Sequence, residues 1–293
     1  MASSEFELIK KYFQNLTDED SSIQCGIGDD AAIVKIPRDM DVVLSTDTLL
    51  ENTHFPAGAD PFDIGYKALA VNLSDIAAMG AVPKWVLLSI SLPENDEKWL
   101  EKFASGFLEL ARQHSVSLIG GDMSRGPLSI TLQIQGLVPT DTALKRDGAQ
   151  KGDLIYVTGT LGDAGVGLDI IHGKLSIGNE YEAFFLNSLN RPEISVEAGL
   201  CLREFANSAI DISDGLIADL GHILDASHVG AVIEVKKIPL SEAMLHCIDE
   251  TIAWDYALIS GDDYELCFTA SAAQHELIFN TFREINIPVS CIG

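Results

Sequence analysis

Residues 72–81 read Asn-Leu-Ser-Asp-Ile-Ala-Ala-Met-Gly-Ala and place a carboxylate on an otherwise apolar segment. Apolar residues recur at helical spacing over Asp60–Met79, which predicts a buried helix that stops at Gly80. Asp75 lies among the apolar residues of this helix, where a lone charge is costly without a partner. The stretch therefore predicts a packed helix that carries an acidic site.

Strands and further helices surround this helix along the chain. An acidic start and helical spacing predict a long helix over Asp96–His114. The predicted strands are Ala31–Ile36, Asp41–Ser45, Trp85–Leu92, Val116–Ile119, Leu128–Val138, Asp153–Thr158, Val232–Val235 and Leu266–Thr269. Shorter helices are predicted over Ile194–Phe205 and Leu216–Asp225. Because strands and helices alternate without a strict β-α-β rhythm, we predict an α/β or α+β protein of two domains.

The polar segment Pro139–Gly152 is the predicted junction between the two domains. It divides the 293 residues into an N-terminal domain over 1–139 and a C-terminal domain over 150–293. The last residues, Val289–Gly293, have the pattern of a strand that is cut short. We therefore expect the C-terminal domain to continue beyond this sequence.

The composition restricts the class of partner. Hydrophobic residues make up 47% and charged residues 22%, so the chain can form a packed core. A formal net charge of −25 argues against nucleic acid and anionic membranes, because both repel an acidic surface. No apolar run approaches the ~18 residues of a membrane span. The five cysteines lack C-x-x-C spacing and the N-terminus lacks the apolar core of a signal peptide, so we expect a cytoplasmic protein.

Four more acidic motifs accompany Asp75, and the pattern places each where a strand or helix ends. They are Gly28-Asp29-Asp30, Ser45-Thr46-Asp47, Gly120-Gly121-Asp122 and Asp211-Ile212-Ser213-Asp214-Gly215. Asp211 and Asp214 have the spacing of two residues on one side of a helical turn. A solvated turn or a helix cap would explain any one motif alone. Several converging carboxylates would instead need a cation, and hard oxygen ligands favour Mg²⁺ or Ca²⁺.

The usual phosphate-binding and calcium-binding sequences are missing. No G-x-x-x-x-G-K-[ST] loop occurs, and no EF-hand spacing supports a non-catalytic Ca²⁺- or Mg²⁺-binding protein, which is the alternative from another class. The turn Gly159–Gly165 lies between a predicted strand and a helix and could offer N–H groups to an anion. Glycines are common at such junctions for conformational reasons, so a tight structural turn is the preferred interpretation.

The order of the motifs resembles the thiamine-monophosphate kinase family, in the superfamily that also contains aminoimidazole ribonucleotide synthetase and selenophosphate synthetase. The matching stretches are Gly26–Ala31, Ser45–Thr48, Asn72–Ala81, Ile119–Asp122, Val157–Gly162, Asp211–Gly215 and Gly261–Leu266. They run through nearly the whole chain. The resemblance implies a two-domain aminoimidazole ribonucleotide synthetase-like fold, in which a mixed N-terminal sheet pairs in a homodimer and an α/β domain follows.

The resemblance also implies an activity and a set of site residues. The activity is transfer of the ATP γ-phosphoryl group onto thiamine monophosphate, which gives thiamine diphosphate and ADP with the help of several Mg²⁺ ions. The implied Mg²⁺ ligands are Asp30, Ser45, Thr46, Asp47, Asp75, Asp122, Asp211 and Asp214. The implied ATP contacts are Gly121, Asp122, Arg146 and Ser213, and the implied substrate contacts are His54 and Asp262. The family usually has Glu where this chain has Asp262, and its C-terminal aromatic substrate contact has no counterpart here.

The chemistry of the acceptor agrees with these assignments. A phosphate oxygen is already ionised near neutral pH, so the acceptor needs charge neutralisation and in-line positioning, and we assign no general base. A sibling synthetase is the alternative enzyme. Against the selenium enzyme, Cys25 precedes Gly26 without the glycine-rich loop that a selenophosphate synthetase would carry.

Overall fold

The computed structural model describes Leu8, residues 11–13 and residues 20–293, and the chain divides into two compact units. The first unit contains the described residues up to Ile76 together with Val82–Asp141. The second contains Ala77–Ala81 and Thr142–Gly293. Each unit has a four-stranded sheet of its own, which confirms the predicted α/β fold with two domains.

The first unit combines a mixed sheet with two long helices. Its elements are β1 (Ile23–Cys25), β2 (Ile33–Val34), β3 (Met40–Leu50), α1 (Pro61–Ala78), β4 (Val82–Leu92), α2 (Glu97–Gln113), β5 (Ser117–Arg125) and β6 (Ser129–Pro139). The last two residues of α1, Ala77 and Ala78, fall in the second unit. The sheet order is β3-β6-β4-β5, with β4 and β5 parallel and the other pairs antiparallel. α1 and α2 confirm the two long predicted helices, and Asp96 caps α2 by accepting from the N–H groups of Lys98 and Trp99.

Two glycines let α1 and α2 pack with their backbones in contact. A Cβ on Gly65 of α1 would lie 2.1 Å from the Phe103 carbonyl oxygen, and one on Gly106 of α2 would lie 1.9 Å from that of Phe62. Any larger residue at these positions would push the helices apart. Phe103 and Phe107 of α2 are fully buried, so the contact between the helices lies in the core of the unit.

Two strands of this unit are longer than the sequence predicts. β3 continues through Ser45, Asp47 and Thr48, and β5 continues past Asp122, so the prediction that these residues end their strands is wrong. The reason is pairing: β3 is matched to β6 along its whole length, as far as Leu50 opposite Ser129. Ladder hydrogen bonds and packing override the low strand preference of a polar run.

The second unit has an antiparallel sheet, in the order β10-β7-β9-β8, and several short helices. Its strands are β7 (Asp153–Thr158), β8 (Ala206–Asp211), β9 (Leu266–Ser271) and β10 (Val289–Cys291). Its helices are α3 (Asp163–Ile171), α4 (Asn179–Asn190), α5 (Val196–Leu202), α6 (Leu216–Ser227), α7 (Glu242–Cys247), α8 (Glu250–Ile259) and α9 (His275–Glu284). Fully buried Val157, Ile212, Cys267 and Ile292 belong to the core beside this sheet.

The sequence predicts this unit less completely. β7, β9 and α6 lie where strands and a helix are expected, and α5 is shorter than the predicted Ile194–Phe205 helix. The strand predicted over Val232–Val235 is wrong, because this segment leads into a 3₁₀ turn at Val235–Lys237. In the described part of the chain, no helix has both the length and the apolar character needed to cross a bilayer.

Candidate active site

A strand and a helix of the first unit bring Ser45, Asp47 and Asp75 together. Ser45 and Asp47 are two residues apart on β3, so their side chains share a face of that strand. Asp75 lies on α1. The Ser45 hydroxyl donates a hydrogen bond to Asp75 Oδ2, and the Asp75 carboxyl group is close enough to Asp47 to act on its ionisation. Three of the predicted metal ligands therefore meet in one cluster.

The Asp47–Asp75 pair is unfavourable without a cation. Burial and the neighbouring carboxyl group of Asp75 raise the pKa of Asp47 to about 6. Asp47 Oδ2 is buried and has no hydrogen-bond partner among the described residues. A buried carboxylate oxygen without a partner destabilises the fold, and a hard cation would satisfy it. The donor set of two carboxylates and a hydroxyl thus fits Mg²⁺.

The number of carboxylates also suits magnesium. Across the described residues, no three His, Cys, Asp or Glu side chains form a group that could hold a metal ion. Asp47 and Asp75 are therefore a pair and not a closed protein cage. Proteins commonly hold Mg²⁺ through one or two carboxylates and leave its other positions to water and substrate phosphates.

A cavity of about 1050 Å³ in the first unit brings a second group of predicted residues together. Asp30, Gly121 and Asp122 line it, along with apolar side chains of the sheet such as Trp85 and Ile90. Asp30 and Asp122 are both exposed, so their carboxylates are accessible to a ligand. A cavity of this size with an apolar wall and a few acidic groups suits a ligand as large as a nucleotide with its cation.

Gly121 has a packing role that the sequence does not reveal. Its φ is 153°, and a Cβ there would lie 1.8 Å from the carbonyl oxygen of Leu88 on β4. Gly121 is paired with Leu88 in the parallel β4–β5 ladder. The glycine is therefore needed for the close approach of two strands, whether or not a ligand also approaches it.

Thr46 and His54 are held by backbone groups. Thr46 alternates with Ser45 and Asp47 along β3, and its hydroxyl donates to the Leu132 carbonyl at 2.9 Å. His54 Nδ1 accepts from the Leu50 N–H at 3.0 Å, which puts the proton of the neutral ring on Nε2. Thr46 therefore lies on the opposite face of β3 from Asp47, and His54 presents a donor nitrogen to its surroundings.

The Asp211–Gly215 motif of the second unit runs from a strand into a loop. Asp211 is the last residue of β8 and is only 5% exposed, whereas Asp214 lies in the bend before α6. The prediction that both lie on one helical turn is wrong, because β8 pairs with β9 up to Asp211 opposite Leu266.

Asp219 of α6 holds this loop in place, and sequence reasoning does not find it. Its Oδ2 accepts from the N–H of Ser213 at 3.0 Å and from the N–H of Asp214 at 2.9 Å. It is 3% exposed, and burial raises its pKa despite these hydrogen bonds. The available signal is a carboxylate between apolar helix residues, at Leu216 and Leu220.

Ser213 and Asp262, two of the predicted ligand-binding residues in this unit, are in contact, whereas Arg146 is held by a separate bond. The Asp262 N–H donates to the Ser213 carbonyl at 2.9 Å, and the Tyr264 hydroxyl donates to Asp262 Oδ1 at 2.7 Å. Arg146 is exposed, and its carbonyl accepts from the Ser227 hydroxyl at 2.9 Å. Ser213 and Asp262 thus share a contact, while Arg146 is fixed through its backbone.

The turn between β7 and α3 is structural, as the preferred interpretation holds. The Gly162 N–H donates to both carboxylate oxygens of Asp263 at 2.9 Å, so an anion would have to displace a carboxylate. Burial raises the pKa of Asp263 well above its ordinary range, and burial with the nearby Glu193 and Asp163 charges raises that of Glu265 to about 7. The sequence motifs do not predict this second acidic cluster, which lines a cleft of about 210 Å³.

The chain matches two models that together define a class of protein. The AIR synthase related protein N-terminal domain matches residues 28–138, and the corresponding C-terminal domain matches residues 150–293. The protein is therefore a two-domain AIR synthase related protein.

Whole-chain comparisons identify the family within this class. The chain is 46% identical over 294 residues to the thiamine-monophosphate kinase of Salmonella typhimurium, covering 100% of this chain and 90% of that relative. The crystal structure of thiamine-monophosphate kinase from Stenotrophomonas maltophilia K279a superposes with a TM-score of 0.93 at 44% identity, covering 100% and 94% of the two chains. The structure of AaThiL complexed with AMPPCP and TMP superposes with a TM-score of 0.78 at 31% identity, covering 98% of this chain and 88% of that one. The chain belongs to the thiamine-monophosphate kinase family and is a phosphotransferase.

Proposed function

We propose that the protein transfers the γ-phosphoryl group of ATP directly and in line onto the phosphate of thiamine monophosphate, giving thiamine diphosphate and ADP. The observation that carries the proposal is the Asp47–Asp75 pair, in which the buried Asp47 Oδ2 has no hydrogen-bond partner among the described residues and calls for a cation. The family relationship supports the reaction, and the AaThiL structure holds AMPPCP and TMP together in that relative.

We assign several Mg²⁺ ions to the acidic residues. Their ligands would be Asp30, Ser45, Asp47, Asp75, Asp122, Asp211 and Asp214. Thr46 would contribute only through its backbone, because its hydroxyl bonds to the Leu132 carbonyl on the opposite face of β3. When bound, Mg²⁺ neutralises phosphate charge and stabilises the charge that develops in the transition state. The carboxylates of this chain hold the cations and fix their positions, and they move no proton.

The remaining site residues bind the two substrates. Gly121, Asp122, Arg146 and Ser213 would contact ATP, and His54 and Asp262 would contact thiamine monophosphate. Because the acceptor oxygen is already ionised near neutral pH, no side chain is needed as a general base. The work of the protein is to bring two phosphate groups together and to orient them for transfer.

The proposal also includes the roles of the two domains, the pairing of two copies and the location of the enzyme. Residues 1–139 would bind ATP and Mg²⁺ and pair with a second copy in a homodimer, and residues 150–293 would form the second domain. The exposed apolar side chains of Ile33, Met40 and Leu44, at 54%, 36% and 61%, support a protein partner for the first unit. We place the enzyme in the cytoplasm, without nucleic acid or membrane as a partner.

A coupled assay of ADP release tests the reaction. ADP is expected with thiamine monophosphate and Mg²⁺, and background rates are expected with thiamine, with aminoimidazole precursors or with no acceptor. Turnover with thiamine, or none with the monophosphate, would overturn the proposal. ATP made chiral at the γ-phosphorus tests the route: direct in-line transfer inverts the configuration, whereas a phosphorylated enzyme intermediate would retain it.

A further inference from the structure

The segment that carries Asp262 has an unusual backbone. Asp262 has a φ of 67° and Tyr264 a φ of 52°, so two non-glycine residues in three adopt the left-handed region. Such angles are disfavoured for L-residues, and they are rare for a side chain as bulky as tyrosine. Residues kept in this region persist only where the surroundings fix them, and they cluster at functional sites.

Backbone pairing with the Asp211–Gly215 motif fixes this segment. The Asp262 N–H donates to the Ser213 carbonyl at 2.9 Å, and the Tyr264 N–H donates to the Ile212 carbonyl at 2.8 Å. In return, the Ile212 N–H donates to the Glu265 carbonyl at 2.7 Å. These bonds attach the strained segment to the loop that includes Ser213, which is a proposed ATP contact.

The strain has a consequence for the side chain of Asp262. Tyr264 is 8% exposed, so its ring is held by packing, and its hydroxyl donates to Asp262 Oδ1 at 2.7 Å. A hydrogen bond from a fixed phenol to a carboxylate is strong and directional. It restricts the rotation of the short Asp262 side chain and so sets the direction in which its carboxyl group points.

We propose that Tyr264 is a positioning residue, which holds the Asp262 carboxylate in the orientation that recognises thiamine monophosphate. The inference rests on the proposed function, since Asp262 is a substrate contact only in that reaction. Tyr264 is 8% exposed and would act through Asp262, not through a substrate contact of its own. Its effect therefore has to appear in the affinity for thiamine monophosphate and has to disappear when Asp262 is removed.

A double-mutant cycle tests this dependence. Tyr264→Phe is expected to raise the KM for thiamine monophosphate roughly tenfold, because a charge-assisted hydrogen bond is lost. We expect kcat and the KM for ATP to stay within about twofold of the wild-type values, since the phosphoryl-transfer groups are untouched. In the Asp262→Ala background, Tyr264→Phe is expected to have no further effect on KM. Equal effects in both backgrounds, or equal rises in both KM values, would overturn the proposal.

Tyr256→Phe is the matched control. The Tyr256 hydroxyl also donates to a carboxylate at 2.7 Å, that of Asp169, in the same unit. This variant is expected to leave the KM for thiamine monophosphate unchanged, and a rise like that of Tyr264→Phe would mean that loss of any such bond loosens the unit.

If Tyr264→Phe does not fold, Asp262→Asn takes its place. It keeps an oxygen acceptor for the phenol and should raise KM less than Asp262→Ala, whereas equal rises would contradict positioning. Wild type that makes no ADP from thiamine monophosphate would overturn the proposed function instead.

Discussion

The Asp47–Asp75 pair of the first unit and the Ser213–Asp214 loop of the second both carry proposed ligand-binding residues. They differ in which groups bear the unfavourable energy. β3 and α1 are regular, so their backbones are satisfied and the unfavourable energy lies in two carboxyl groups that face each other. In the loop, the Asp219 side chain satisfies the backbone N–H groups, and the unfavourable energy lies in the left-handed residues packed against it. A bound cation is therefore expected to remove the repulsion between Asp47 and Asp75. The loop is held in place by Asp219 and needs no ligand to order it.

The largest effect should come from the pair. Asp47→Asn removes a charge that holds the cation, so kcat is expected to fall roughly 10²- to 10³-fold. The free energy of unfolding should stay the same or rise, because the repulsion with Asp75 is lost at the same time. Steady-state ADP release and urea unfolding of the same preparation measure the two quantities.

Asp39→Asn is the control for this prediction. Asp39 is an exposed carboxylate in the turn before β3, and its loss is expected to change neither kcat nor stability. Equal losses of activity and stability in Asp47→Asn would instead identify Asp47 as a structural residue.

In the Ser213–Asp214 loop, the expected effect is a loss of stability. Asp219→Ala leaves the N–H groups of Ser213 and Asp214 without their acceptor, and the free energy of unfolding is expected to fall by about 3 kcal/mol. Urea unfolding measures this loss, with Asp225→Ala on the exposed side of the same helix as the control. A stability equal to that of wild type would show that Asp219 does not hold the loop.

A smaller effect, on the pH dependence of stability, is expected at Glu265, the residue before β9. The folded-state pKa of Glu265 is raised from 4.5 to about 7. Its protonation therefore stabilises the fold fully below pH ~4.5, and this contribution is lost as the pH rises through about 7. Over that window Glu265→Gln should remove about 3 kcal/mol of the pH dependence seen in wild type.

Urea unfolding between about pH 4.5 and 8, compared between wild type and Glu265→Gln, isolates this group. Glu204→Gln, at an exposed position, should leave the curve unchanged. A difference between wild type and Glu265→Gln that does not vary with pH would show that Glu265 is ionised throughout.

The sequence predicts the regular elements well where one physical signal dominates. The helical spacing and glycine stop of α1 and the acidic cap of α2 are local properties, and both helices form as expected. β8 is not predicted, because Asn207 and Ser208 interrupt its apolar pattern and its formation depends on pairing with β9. The polar end of β3 reads as a loop for the same reason.

For the site as well, the sequence predicts local features but not those that depend on long-range contacts. The acidic motifs indicate which residues carry the charge, and the structure brings Ser45, Asp47 and Asp75 into contact. The supporting residues Asp219 and Tyr264 are not predicted, since their roles depend on which backbone or carboxyl group each side chain reaches. The local pattern shows Asp219 as a carboxylate among apolar residues but does not specify which groups it contacts.

Binding of Mn²⁺ as a stand-in for Mg²⁺ tests the central claim most directly, because it requires neither turnover nor a coupled enzyme. Electron paramagnetic resonance of free Mn²⁺, with ATP present, would be recorded for wild type, Asp47→Asn and the Asp39→Asn control. We predict that Mn²⁺ binds wild type and the control equally and that Asp47→Asn binds it at least tenfold more weakly while remaining folded. Unchanged binding in a folded Asp47→Asn variant would contradict the assignment of the Asp47–Asp75 pair as the cation site.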